Sequence, residues 1–123
     1  MERQALIKEG DVFWLPLTEP KEFSSEYPHP HVVIQKDIIT HAHKDTVMLC
    51  ALTTNMKKVN LPGNILLEVG EANLPKQSIV DVARVITVEK TRLGEYIGSL
   101  SEQRVEQVLA GIKFLQKMTE RQR

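Results

Sequence analysis

Four histidines are the residues of this sequence best suited to moving a proton near neutrality: His29, His31, His41 and His43. The first two flank Pro30 in "YPHPHVVIQKD", where a loop runs into an apolar stretch. In an extended chain each i,i+2 pair points to one side, so two such pairs offer a potential metal-ligand set. Pro30 interrupts the first pair, the second falls in a stretch read as loop, and no cysteine or His-plus-carboxylate motif completes the set. His41 and His43 therefore read as surface residues. An imidazole at the mouth of a strand is better placed to give or take a proton, which singles out His29, with His31 beside it.

A second group closes the apolar run "TVMLCALT": Thr53, Thr54 and Asn55. Hydroxyls and an amide there are either turn-forming side chains at a strand end or a cluster that hydrogen-bonds a phosphate. In the second case Thr53 donates to developing negative charge. A third group, Lys76 and Gln77 in "NLPKQS" with Arg84 beyond, offers phosphate contacts and a base-edge reader, or else a polar loop before a strand. Trp14 and Phe13 offer ring faces for bases; the structural alternative divides them between core and surface. The sequence holds no Gly-rich phosphate loop, no GxSxG elbow and no paired catalytic carboxylates, which leaves most familiar enzyme classes and cofactors unsupported.

The elements that must position these groups are mostly strands. Asp11–Leu17, His31–Gln35, Thr46–Thr53, Asn64–Val69 and Ser78–Val88 are β-prone runs set off by Gly10, Pro16 and Pro62-Gly63. Thr46–Thr53 is apolar almost throughout, as a central strand buried on both faces would be. Thr18–Pro30 and Lys36–Asp45 read as the long loops. The period then changes: Val105, Val108, Leu109, Ile112 and Leu115 line one face of a helix, with Ser101 as N-cap and Leu100–Val105 as a hydrophobic staple. Arg104 stands where a capping box needs Glu or Gln. The tail from Lys117 reads as fraying. Some five strands and a late amphipathic helix predict a small, strongly curved sheet or partial barrel with the helix over one open side.

The 123 residues fit one compact domain, and 41% apolar with 26% charged residues is the composition of a soluble globular protein. Zero formal net charge means that any nucleic-acid site must be a local groove. The single cysteine, Cys50, excludes an internal disulfide and reads as a small buried residue. No apolar stretch approaches the roughly 20 residues of a membrane helix, and no signal-peptide pattern opens the chain, so a cytoplasmic location is expected.

In order, "GDVFWLPL", "HPHVVIQKD", "VMLCALTTN", "LPGNILLE", "LPKQSIV" and "VEKTRLGEYIGSL" resemble the MazF/PemK family, the toxins of toxin–antitoxin pairs, over about Gly10 to Leu115. The resemblance implies one SH3-like partial barrel spanning 1–123, with a C-terminal helix, acting as a homodimer. It implies metal-independent, cofactor-free cleavage of single-stranded RNA by 2′-hydroxyl attack, leaving a cyclic phosphate and a 5′-hydroxyl. The implied partners are RNA and a cognate antitoxin, with DNA met only through the antitoxin complex. The family's catalytic Thr/Ser matches Thr53, and its catalytic Arg falls on His29. Glu26 stands in for the acidic residue of the first loop, and His31, Trp14, Thr54, Asn55, Lys76, Gln77 and Arg84 are the expected RNA contacts. Arginine is a permanent bidentate clamp, whereas histidine is a better proton shuttle. The alternative is therefore a catalytically impaired module that binds a partner protein or nucleic acid.

Overall fold

A computed structural model describes residues 7–16, 29–43 and 45–121. Glu26 and most of the expected first loop lie outside the described residues. Strands β1 (Asp11–Leu15), β2 (His29–Val33), β3 (Thr46–Thr53), β4 (Ile65–Leu67), β5 (Ser78–Glu89) and β6 (Tyr96–Ser99) form one six-stranded sheet in the order β4-β5-β3-β2-β1-β6. All neighbours are antiparallel. The sheet curls into a half-barrel with the helix α2 (Glu102–Arg121) against it.

Alternation along the strands sorts the core into two layers. Val12, Val32, Cys50, Leu52, Val80 and Val82 face one side and pack with Val105, Val108, Leu109 and Ile112 of α2. Phe13, Leu15, Val33, Val47, Leu49 and Val88 face the other, with Ile7 and Leu93 over them. The curl is concentrated at a bulge. Cys50 is opposite Val85 but Leu52 is opposite Val80, so β5 spends extra residues beside Ala51 and bends there.

The turn before β4 and the helix touch backbone to backbone. Gly63 has φ +82, a conformation that L side chains rarely adopt, and a Cβ at Gly111 would collide with the carbonyl oxygen of Gly63. Ser101 caps α2 as expected, its Oγ accepting from the Arg104 amide at 3.2 Å. Arg104, at the position where a capping-box acid was missing, instead forks onto Glu71, with Nε and Nη2 each 2.9 Å from a carboxylate oxygen.

Several expectations require correction. β2 begins at His29 rather than His31, and β1 ends at Leu15. β3 is buried less completely than expected, because Met48 is exposed. The helix continues to Arg121, so residues 117–121 are helical rather than frayed, and the last two residues lie outside the described ones. The expected loop Lys36–Asp45 contains a short helix, α1 (Asp37–Ala42). Its β-branched residues are poor helix formers. Tertiary bonds hold it: the Asp37 carboxylate accepts from the Glu9 amide at 2.7 Å, and buried Lys90 donates to the Thr40 carbonyl at 2.7 Å. The sixth strand, β6, was not expected. It pairs with β1, and Ser99 Oγ donates to Asp11 Oδ1 at 2.7 Å.

Candidate active site

The register of β2 against β3 sets His31 opposite Ala51 and Val33 opposite Leu49. Continued by two residues, it sets His29 opposite Thr53. Strand alternation puts both on the face of Val33 and Leu49, away from α2. Directly opposed residues have Cβ atoms about 5 Å apart, so one phosphodiester can span the pair.

Thr53 is half-buried at the end of β3. Its Oγ1 accepts from the Asn55 amide at 3.1 Å, and Asn55 Oδ1 caps the following 3-10 turn, Met56–Lys58, by accepting from the Lys57 amide at 3.1 Å. The Thr53 hydroxyl is thereby oriented as an acceptor toward its own turn, and its hydrogen is left for another group. The turn is braced from below. Lys58 Nζ lies 3.0 Å from the buried Asp81 carboxylate. Asn64 donates to the Lys58 carbonyl at 2.9 Å and accepts from the Val82 amide at 3.0 Å. Asp81 and Val82 belong to the bulged part of β5, so the bulge and the Thr53 turn form one braced unit.

His29 is exposed, and His31 is buried at 8% exposure. His31 Nδ1 lies 3.0 Å from the His29 carbonyl oxygen. A carbonyl only accepts, so Nδ1 carries the hydrogen and Nε2 of the neutral ring is the acceptor. Burial holds the His31 pKa below 6.5, and the guanidinium charges of Arg84 and Arg92 push the same way, against the raising effect of the carbonyl bond.

Arg84 and Arg92 belong to this face. Extending the Cys50–Val85 register by one residue sets Arg84 beside Ala51, in the row of His31. Arg92 ends a 3-10 turn, Lys90–Arg92, on the crossover from β5 to β6; the next residue, Leu93, packs on the layer of Phe13, Leu15 and Val33. Sequence reading missed Arg92. Its only signal is membership of "VEKTRLGEYIGSL", which carries no phosphate-binding pattern of its own.

The other candidates are dispersed. Trp14 is opposite Pro30 and shares the face of Val12 and Val32, away from His29 and Thr53. Thr54 and Asn55 are exposed beside Thr53. Lys76 and Gln77 precede β5 on its β4 side, where Gln77 Nε2 donates to Glu68 Oε1 at 3.1 Å. His41 and His43 follow β2 at the opposite end from His29, and both are exposed. Among the described residues, no three His, Cys, Asp or Glu side chains converge as a metal site. Among them, too, no helix is long and apolar enough to cross a membrane.

Comparison with known proteins joins this geometry to a family. The endoribonuclease MazF6 of Mycobacterium tuberculosis is 27% identical over 108 residues, 88% of this chain and 95% of that protein. The endoribonuclease MazF of Staphylococcus saprophyticus is 26% identical over 103 residues, 84% of this chain and 85% of that protein. Two solved folds superpose well. An endoribonuclease in complex with its cognate antitoxin from Mycobacterial species has a TM-score of 0.67 at 17% identity, covering 86% of this chain and 90% of that one. The toxin MazF-mt6 of Mycobacterium tuberculosis has a TM-score of 0.66 at 17% identity, covering 83% and 91%. Residues 8–115, from the lead-in of β1 to the last packed turn of α2, match one family pattern throughout, and the chain belongs to the PemK-like, MazF-like toxins of type II toxin–antitoxin systems.

Proposed function

We propose that this toxin is a metal-independent endoribonuclease acting on single-stranded RNA in the cytoplasm, with His29 and Thr53 at the scissile phosphate. The observation that carries the reading is the β2–β3 register, which directs both side chains to one face. The endoribonuclease relatives support it. His29 takes the proton of the ribose 2′-hydroxyl. The O2′ attacks phosphorus as the P–O5′ bond breaks; O5′ takes a proton from water, and protonated His29 returns its proton to the hydroxide that is left. A 2′,3′-cyclic phosphate and a 5′-hydroxyl result. Thr53 donates to a non-bridging oxygen as its charge grows. Only RNA carries the nucleophile, which sets the preference over DNA.

The toxin would act as a homodimer held in check by a cognate antitoxin, as the solved relative with its antitoxin suggests. Met48 and Val85, diagonal neighbours on β3 and β5, are exposed apolar side chains that a second copy would cover. DNA would be met only through the antitoxin.

The test is cleavage of single-stranded RNA by the purified protein, with analysis of the new ends. Cyclic-phosphate and 5′-hydroxyl ends are expected, in excess chelator as well as without it. His29→Ala and Thr53→Ala should each slow cleavage by at least ~100-fold, the low end for lost acid–base or charge-stabilising groups. A doubly substituted protein that cleaves at the parent rate refutes the assignment. A histidine in place of a permanent cation favours the second reading, a binding module without catalysis. Intact RNA with the unaltered protein would establish that reading.

A further inference from the structure

We propose that Arg84 and Arg92 together clamp the scissile phosphate, a pair of guanidinium groups converging on the His29–Thr53 face from two different elements. The proposal rests on the endoribonuclease reading for the identity of the ligand, and on the geometry for the rest.

Reaction at a phosphodiester gathers negative charge on the non-bridging oxygens, and a neutral hydroxyl answers only part of it. The imidazole of His29 must be neutral to accept a proton, so it cannot serve at that moment as a fixed cation. The fixed charge has to come from elsewhere on the same face. Arg84 stands in the row of His31 and Ala51, one row from His29 and Thr53. Arg92 approaches from the β5–β6 crossover, beside the apolar layer of that face.

Three other cations already have partners among the described residues, whereas exposed lysines such as Lys57 and Lys76 have none; what sets Arg92 apart is a buried, unmatched N–H. Lys58 is matched by Asp81, Arg104 by Glu71, and Lys90 by the Thr40 carbonyl. Among the described residues neither Arg84 nor Arg92 has an ion-pair or hydrogen-bond partner. The Nε of Arg92 is buried without an acceptor. A half-buried guanidinium with an orphaned N–H is costly unless something supplies the acceptor, and a phosphate matches the guanidinium fork. Arg84 and Arg92 both lie close enough to His31 to oppose its protonation, which puts two fixed positive charges beside the His29–Thr53 row.

The experiment has two arms, with Arg84→Ala, Arg92→Ala and Arg92→Lys in the full-length toxin, each first checked for a parental melting transition. Arg92→Lys provides a conservative variant if Arg92→Ala does not fold. In single-turnover cleavage of an oligoribonucleotide, each alanine variant should lose about 100-fold, and Arg92→Lys should recover part of the loss. In the binding arm the probe is a 2′-O-methyl oligoribonucleotide, which lacks the nucleophile. The slope of log affinity against log salt should fall by about 0.7 for each arginine removed, the value for one single-strand phosphate contact. Parental cleavage in both alanine variants, or an unchanged salt slope, overturns the clamp. If the unaltered protein does not cleave, the endoribonuclease reading fails while the binding arm still decides the clamp.

Discussion

His31 and Asp81 show how single buried polar groups are tolerated beside this site. His31 is buried, its Nδ1–H is satisfied by the His29 carbonyl, and Arg84 and Arg92 face it with positive charge. Protonation is therefore disfavoured in the folded chain, and its pKa lies below the 6.5 of an unfolded histidine. The unfolded chain then binds the extra proton first. This residue's contribution to stability is intact above pH 6.5 and is lost as pH falls from there through the folded pKa. Urea denaturation at pH 7.5 and 5.5 should show a smaller acid loss for His31→Gln than for the parent, whatever the two absolute stabilities. Asp81 presents the reverse problem. Its side chain is 3% exposed, whereas its partner Lys58 is 32% exposed and can swing into water. Removing the cation strands a buried carboxylate; removing the carboxylate's charge strands nothing. Lys58→Met should therefore cost more than Asp81→Asn in chemical denaturation, by about 1–3 kcal/mol if the buried carboxylate stays in place.

At the scale of elements, the contact between α2 and the turn before β4 is set by two glycines. Gly111→Ala improves helix propensity by about 1 kcal/mol, yet its new methyl meets the Gly63 carbonyl, a backbone atom that cannot rotate aside. Overpacking should win, and thermal unfolding should show a net loss of about 1–2 kcal/mol. What the sequence disclosed about elements follows a related division. Runs whose own periodicity matches their burial were legible: the apolar β3, the long β5 and the helical face of Val105, Val108, Leu109 and Ile112. Elements created by distant partners were not. α1 depends on Lys90, fifty residues away, and β6 on pairing with β1 and on the Ser99–Asp11 bond. The candidate site divides in the same way. Thr53 and His29 sit at strand ends that composition and resemblance both mark. The proposed convergence of Arg92 with Arg84 needs the β5–β6 crossover, whose course no local pattern reports.

The molecule as a whole separates stability from chemistry across the thickness of one sheet. One face carries Val12, Val32, Cys50, Leu52 and Val82 and is roofed by α2. The other carries the proposed site in the rows of His29–Thr53 and His31–Ala51, and its apolar half packs Phe13, Leu15, Val33 and Leu49. A change under the helix should therefore weaken folding without altering the reaction. Val108 is the sharpest test: it is 1% exposed, sits midway along the helix face, and shares no contact layer with the site. Val108→Ala removes two buried methyl groups and leaves a small cavity, costing about 2 kcal/mol and lowering the unfolding midpoint accordingly. At a temperature well below that midpoint the folded fraction stays near one, so the single-turnover cleavage rate should match the parent. His29→Ala should do the opposite, with slow cleavage and a nearly parental midpoint, because its side chain is exposed. A Val108→Ala protein that is fully folded but cleaves slowly would mean that strain under α2 is transmitted through β3 to Thr53. The sheet would then act as a lever between its two faces rather than as a wall.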